Sequence, residues 1–139
     1  MPNLPSGTVT FLFTDIEGST ALWERDRQAM RVAVERHLSI LRESISAQEG
    51  VPFKVVGDAL QAAFPVAPNA IMAALAAQTA LHAETWPQSL GSLRVRMALH
   101  AGEAMPDDRG DYLAAPLNRL SRLLTASSGG QIILSQAVQ

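Results

Sequence analysis

The spacing of apolar residues predicts a strand followed by a helix in the first third of the chain. Apolar and β-branched residues dominate positions 8–14, which is typical of a buried strand. From 19 to 48, apolar residues recur every three or four positions, which predicts one long amphipathic helix. The apolar positions of this helix are Met30, Val34, Leu38, Leu41 and Ile45. We expect Gly50 to terminate it.

The rest of the chain is also predicted to consist of strands and helices. Two short strands are predicted at 52–56 and 59–64, joined by Gly57-Asp58. Glycine in the first position of a two-residue loop suits a type II′ hairpin turn. The later elements are a helix from 68 to about 84, a strand at 93–101, a polar loop at 103–112, a helix from 116 to about 126 and a strand at 131–135.

The order βαββαβ, followed by one more helix and strand, predicts an α+β fold. We expect a ferredoxin-like sandwich with a mostly antiparallel sheet, helices on one face and an additional C-terminal αβ unit. In such a sheet the first and third strands are neighbours. We expect residues 1–139 to form a single domain, with truncation at its C-terminus as an open alternative.

Composition narrows the class of protein. With 47% hydrophobic and 17% charged residues, the chain can form a core. A net charge of −2 argues against a non-specific nucleic-acid or anionic-membrane binder. The absence of cysteine excludes disulfides and thiolate metal sites and fits a cytoplasmic setting. No apolar run reaches the ~18 residues of a membrane helix, so we expect no membrane segment in this chain.

Two carboxylates are predicted to meet at one edge of the sheet. Asp15 ends the first strand and Asp58 lies at the tip of the hairpin. Two such oxygen ligands, with a nearby backbone carbonyl, suit Mg²⁺. Gly18-Ser19-Thr20 adds backbone N–H groups at a helix start, where anionic oxygens bind. The alternative is that Asp15 only caps the helix and Asp58 only serves a turn.

Three other polar residues stand out. Strand alternation puts Lys54 on the face opposite Phe53 and Val55. Asn118 and Arg122 lie four positions apart on the last helix, on a face away from its leucines. The alternative for Lys54 is an edge-strand charge that blocks aggregation. The alternative for Asn118 and Arg122 is ordinary surface polarity. The histidines share no metal-ligand spacing, and we interpret all of them as structural or surface residues; they are His37, His82 and His100.

Four segments, in this order, resemble the catalytic domain of class III nucleotidyl cyclases. The first two, Phe13-Thr-Asp-Ile-Glu-Gly-Ser-Thr20 and Phe53-Lys-Val-Val-Gly-Asp58, resemble its two metal motifs, the second of which includes a lysine. The segment from Val95 to Glu103 resembles its central strand. The segment from Gly110 to Leu123 resembles its final catalytic helix and the approach to it.

The resemblance implies an adenylate cyclase that converts ATP to 3′,5′-cyclic AMP and pyrophosphate. It implies that Asp15, Asp58 and the Ile16 carbonyl hold two Mg²⁺ or Mn²⁺ ions per site. Lys54 and Asp111 match the positions that read the purine, and this pair favours adenine.

By the same resemblance, Asn118 orients the ribose and Arg122 stabilises charge on the α-phosphoryl group. The active site would form in a homodimer. One protomer would supply the two metal-binding aspartates, and the other would supply Lys54, Asp111, Asn118 and Arg122.

Fused regulatory domains are expected in a full-length protein of this kind. Two other functions stay open at this point. One is a catalytically weak or inactive nucleotide-binding module that regulates or dimerises, and the other is a generic ferredoxin-like interaction domain.

Overall fold

The computed structural model describes residues 4–112, 115–126 and 129–135, without the side chains of 115–119 and 126. Its helices and strands, in chain order, are β1 (Gly7–Ile16), α1 (Ser19–Arg25), α2 (Arg27–Ala47), β2 (Val51–Val56), β3 (Ala59–Phe64), α3 (Ala67–Ala83), a 3₁₀ turn (Gln88–Leu90), β4 (Val95–Ala104), α4 (Ala115–Ala126) and β5 (Ile132–Leu134). None of the helices within the described ranges combines the length and apolar character that a membrane crossing requires.

The five strands form one sheet in the order β2-β3-β1-β4-β5. β1 pairs antiparallel with both β3 and β4, and β5 joins β4 in parallel. The first and third strands are therefore neighbours, as the ferredoxin-like prediction requires. The predicted α+β fold with its C-terminal αβ unit is confirmed.

The helices cover both faces of the sheet. Leu12 and Ile16 of β1 pack in one core with α2 and α3. Phe11 lies on the opposite face, in a second core with Leu120 and Leu124 of α4. The prediction of helices on one face is therefore wrong for α4. Because β1 is apolar at successive positions, both of its faces need covering.

The predicted long helix is two helices. Asp26 between them is extended, with φ −157° and ψ 91°. Its carboxylate accepts hydrogen bonds from the Ala29 amide at 3.1 Å and the Ser89 hydroxyl at 2.6 Å. Asp26 thus caps α2 instead of continuing α1, which is the preference of aspartate at helix starts. The predicted apolar stripe of α2 is confirmed, with its members buried or half-buried.

Glycine is required at position 50 because a side chain would not fit there, and not because of its backbone conformation. α2 ends at Ala47, and the left-handed residue after it is Glu49, with φ 62°. The prediction that Gly50 supplies the helix stop is therefore wrong. A Cβ on Gly50 would lie 2.3 Å from the ring of Phe64, which is fully buried.

Gly50→Ala should lower the free energy of unfolding by about 1–3 kcal/mol, because the added methyl overlaps a packed ring. Urea unfolding measures this. In the control double variant with Phe64→Leu, the smaller side chain should tolerate the methyl, so Gly50→Ala should cost less there. Equal costs in both backgrounds would rule out the ring overlap.

Candidate active site

The end of β1 and the tip of the β2–β3 hairpin meet through one hydrogen bond. The backbone amide of Ile16 donates to Oδ2 of Asp58 at 2.8 Å. The hairpin has a two-residue turn in which Gly57 adopts φ 60°, as the first position of a type II′ turn requires. The Asp58 carboxylate therefore lies at the end of β1, where Asp15 also lies. The two aspartates share one edge of the sheet, and their role as metal ligands stays a prediction.

Arg96 of β4 binds Asp15 in a bidentate ion pair. Its Nε donates to Oδ1 at 2.7 Å and its Nη2 to Oδ2 at 2.5 Å. The hydrogen bond to Asp15 raises the pKa of Arg96, and the negative charges of Glu17 and Asp58 act in the same direction. Both side chains of the pair are about four-fifths buried, with exposed fractions of 23% and 22%.

Sequence reasoning missed Arg96. The feature that could have identified it is a positively charged residue within the apolar strand predicted at 93–101. The register that puts Arg96 directly opposite Asp15 comes from the pairing of β1 with β4. Opposite charges at such cross-strand positions attract each other, but the pairing is not visible in either segment alone.

The acidic edge has the chemistry for a hard divalent cation. It offers the Asp15 and Asp58 carboxylates and lies next to main-chain carbonyls, and it already attracts the guanidinium of Arg96. Across the described residues, no three histidine, aspartate or glutamate side chains are grouped to hold a metal. Two carboxylates suit Mg²⁺, which keeps waters and binds phosphate oxygens for its remaining positions. The residues fit Mg²⁺ or Mn²⁺ together with a polyphosphate.

The turn after β1 leads into α1. Gly18 adopts φ 67° at the N-cap of α1, and no side chain caps this helix start. Glu17 fixes the turn, because its amide donates to the Arg94 carbonyl at 2.8 Å and its carboxylate accepts from the Gly129 amide at 3.3 Å. Ser19 and Thr20 then begin the helix next to the acidic edge.

Lys54 and Asp111 form a second polar pair, with 3.0 Å between Nζ and Oδ2. The side chains are 44% and 31% exposed, so both remain accessible to a ligand. The loop before α4 holds Asp111 in place. The Asp107 amide donates to the Asp111 carbonyl at 2.7 Å, and the Asp111 amide donates to Oδ1 of Asp107 at 3.0 Å.

A β-bulge aims Lys54 at Asp111. The β2–β3 register shifts just before Lys54. Phe53 packs in the core beneath α4, and Lys54 is on the same face, since it pairs with Gln61, which in turn pairs with Phe13 of that core. The prediction that Lys54 lies opposite Phe53 is therefore wrong, because a bulge places two successive side chains on one face.

Three aromatic rings pack together next to this ion pair. The ring of Tyr112 lies edge-on to Phe11 and to Phe53, with ring centroids 4.9 Å apart in each case. Burial raises the pKa of Tyr112 to about 12, so its hydroxyl stays protonated. That hydroxyl donates to the Pro5 carbonyl at 2.6 Å. Phe53 and Tyr112 directly adjoin the two polar residues, so the cluster anchors both.

The predicted polar face of α4 is described in part. Arg122 is exposed, while Leu120 and Leu124 are buried against the sheet. Within the described ranges, no side-chain hydrogen bond or ion pair is formed by the Arg122 guanidinium. The side chains of Asn118 and Leu117 lie outside the described residues.

The histidines differ in their surroundings. His82 is exposed, and Nδ1 of His100 lies 2.6 Å from the Ser135 hydroxyl in the protein interior. His37 is fully buried, and burial lowers its pKa. Its Nε2 lies 3.1 Å from the Asp58 carbonyl, so it contacts the acidic edge, which sequence spacing gave no reason to expect.

Comparison with known sequences identifies the family. The family model described as adenylate and guanylate cyclase catalytic domain matches residues 1–139. An adenylate cyclase from Lachancea kluyveri is 34% identical over 154 residues, which cover 94% of this chain and 8% of that protein. The chain thus spans less than a tenth of the length of that curated relative.

Solved structures share the fold. A structure of adenylate cyclases from Trypanosoma brucei in their monomeric state has a TM-score of 0.90 and 26% identity, covering 99% of this chain and 75% of that chain. The monomeric guanylyl cyclase domain of a fusion protein from Blastocladiella emersonii has a TM-score of 0.87, with 96% and 83% covered; at 17% identity it shows likeness of fold alone. Together with the sequence match, these findings show that the chain belongs to the adenylate and guanylate cyclase catalytic domain family.

Proposed function

We propose that this domain is an adenylate cyclase that converts ATP to 3′,5′-cyclic AMP and pyrophosphate. The observation that carries the proposal is the meeting of Asp15, Ile16 and Asp58 at one sheet edge, linked by the 2.8 Å hydrogen bond. Membership of the family supports nucleotide cyclisation, and the relatives include both adenylate and guanylyl cyclases. The choice of ATP therefore rests on Lys54 and Asp111.

In this proposal, Asp15, Asp58 and the Ile16 carbonyl hold two Mg²⁺ or Mn²⁺ ions. When bound, the ions activate the ribose 3′-hydroxyl and neutralise the triphosphate. The ion pair uses one lone pair of each Asp15 oxygen, so a bound cation either shares the carboxylate with Arg96 or displaces Arg96 from it. Once displaced, the Arg96 guanidinium can donate to anionic oxygens of the substrate.

Backbone amides add to the phosphate site. The helix start at Gly18, Ser19 and Thr20 has no side-chain cap, so its N–H groups are available to anionic oxygens of the substrate. The left-handed conformation of Gly18 lets the chain turn sharply from β1 into α1.

Lys54 and Asp111 read the base. The ammonium donates to adenine N1, and the carboxylate accepts from the exocyclic amine. Guanine presents a donor and an acceptor in the reverse order, so the same pair disfavours GTP. The 3.0 Å separation between the two side chains supports this, since both can face one purine edge.

Asn118 orients the ribose and Arg122 stabilises charge at the α-phosphoryl group. In this proposal they come, with Lys54 and Asp111, from the second protomer of a homodimer. The guanidinium of the exposed Arg122 has no side-chain partner within the described ranges, which supports a role towards another chain. The active species would be the dimer, with two shared sites.

The cellular location of the domain is inferred from its proposed substrate. We place it in the cytoplasm, where ATP is abundant and a cysteine-free chain needs no oxidising compartment. The small share of the Lachancea kluyveri relative that the chain covers supports fused regulatory domains in a full-length protein.

One observation favours a second function, a nucleotide-binding module with little or no turnover. The Arg96 ion pair occupies the carboxylate that catalysis needs. Incubation with ATP and Mg²⁺ or Mn²⁺ over a range of protein concentrations separates the two functions. Cyclic AMP formed at a specific activity that rises with protein concentration supports the cyclase dimer, and ATP binding without product supports the module.

Asp15→Asn and Asp58→Asn should each abolish cyclic AMP formation, because an amide is a weak ligand for Mg²⁺. Turnover at saturating ATP and Mn²⁺ measures this. Glu43→Gln, which removes an exposed carboxylate on α2, is the matched control and should retain full activity. Normal turnover in both aspartate variants would remove the metal assignment.

The double variant Lys54→Glu with Asp111→Cys should lower the ratio of kcat/KM for ATP over GTP by about 10–100-fold, since mismatched hydrogen-bonding groups discriminate strongly. Steady-state kinetics with each nucleotide measures the ratio. The exchanged pair Lys54→Asp with Asp111→Lys is the control. It keeps the ion pair but moves the ammonium donor from position 54 to position 111. It should fold normally and lose ATP activity. An unchanged ratio in the first variant would disprove base reading.

Arg122→Ala should reduce turnover by about 10²–10³-fold, as loss of one transition-state donor does. Arg42→Ala removes an exposed arginine on α2 and should have no effect. Mixing Arg122→Ala with Asp58→Asn protein should restore activity, since the heterodimer contains one site with neither change. If subunit exchange is demonstrated and activity stays absent, the two sets of residues do not come from different protomers.

A further inference from the structure

We infer that His37 is a positioning residue for Asp58: its imidazole Nε2–H holds the hairpin-tip carbonyl and so orients the Asp58 carboxylate towards Asp15. The inference rests on the proposed function, because it treats Asp58 as a ligand. It adds a residue on α2 to an edge otherwise formed by β1, β4 and the hairpin.

His37 links two elements that the sheet does not join. It lies on α2 and is fully buried. Its Nδ1 lies 2.5 Å from the Val34 carbonyl of its own helix, and its Nε2 lies 3.1 Å from the Asp58 carbonyl. Both ring nitrogens face carbonyl oxygens, which only accept hydrogen bonds, and a neutral imidazole carries a single N–H. The Val34 carbonyl lies inside α2 and can accept from the helix backbone, so we assign the proton to Nε2, which faces Asp58.

The Asp58 carbonyl needs such a donor. Asp58 is the second residue of a two-residue turn between Val56 and Ala59, the last ladder pair of the hairpin. Carbonyls of turn residues lie beyond the ladder, and this one is partly buried, where a carbonyl without a donor costs free energy. His37 meets this requirement from the helix layer.

The two contacts of Asp58 act together. His37 holds its main chain, and the Ile16 amide holds its carboxylate. A residue fixed at both ends has little freedom to rotate away from Asp15. The contact is thus comparable to the outer partners of metal ligands, whose loss costs metal affinity without removing a ligand.

Packing alone does not explain a histidine at this position. The other buried positions of α2 are apolar, and they are Met30, Ala33, Val34, Ile40, Leu41 and Ile45. A buried imidazole loses its hydration, and leucine or methionine would fill the space without that cost. The hydrogen bond to Asp58 is the gain that an apolar side chain cannot give.

Two substitutions separate the contacts of the ring. Gln places an amide near the former Nε2 and should still donate to Asp58. Asn places it near the former Nδ1 and reaches only Val34. Ile40→Val is the control, a buried change in the same helix that removes one methyl group and no hydrogen bond. Urea unfolding establishes that each variant is folded under the assay conditions.

Mn²⁺ binding is measured by electron paramagnetic resonance of the free ion, with 3′-deoxy-ATP present. This nucleotide lacks the attacking hydroxyl, so affinity is read without turnover. We expect His37→Asn to weaken Mn²⁺ binding by about 10-fold or more, with His37→Gln and Ile40→Val close to the unsubstituted protein. Equal affinity in the Asn and Ile40→Val variants would overturn the inference.

A second measurement needs no substitution. A ¹H–¹⁵N spectrum tuned to imidazole couplings reports which ring nitrogen of His37 carries a proton. We expect a protonated Nε2 whose hydrogen exchanges slowly with water. An unprotonated Nε2 would overturn the inference even if the Asn variant does not fold.

The same assay separates this inference from the proposed function. If Asp58→Asn abolishes Mn²⁺ binding while His37→Asn does not change it, the role of His37 alone is wrong. If Asp58→Asn binds Mn²⁺ normally, the metal assignment fails, and the positioning role fails with it.

Discussion

The burial of β1 on both faces is the constraint from which the site follows. Phe11 and Leu12 are successive residues, each fully buried in a different core. A strand with two apolar faces must lie inside a sheet with layers on either side, so β1 pairs with both β3 and β4. This central position brings the end of β1 beside the hairpin tip and the start of β4. Asp15, Asp58 and Arg96 meet there for that reason.

One of the negative charges at this edge is neutralised within the protein. Arg96 neutralises Asp15 through two hydrogen bonds, and partial burial strengthens that attraction. In the proposed function, a metal ion that binds Asp15 competes with the Arg96 guanidinium, and its binding is strengthened when another anion accepts that guanidinium. A triphosphate is such an acceptor. This gives a physical reason why metal and nucleotide should bind together in a cyclase of this kind.

Irregular backbone directs the other side chains. A bulge in β2 aligns Lys54 with Asp111, and Phe53, moved to the same face, packs against Tyr112. At the hairpin tip, Gly57 turns the chain so that Asp58 contacts both β1 and α2. Bulges and turns depend on two strands at once, so periodicity along one strand misplaces residues beside them.

Local patterns were enough to predict the order of helices and strands, the ferredoxin-like pairing and the meeting of Asp15 with Asp58, because apolar periodicity and turn residues are properties of short segments. The break at Asp26 was missed because a capping aspartate also fits the polar face of a longer helix. The sequence alone determined which chemical groups lie near the strand ends. Tertiary structure decided which groups touch: Arg96 with Asp15 and His37 with Asp58 are contacts across 81 and 21 positions, and only strand register and helix packing bring such residues together.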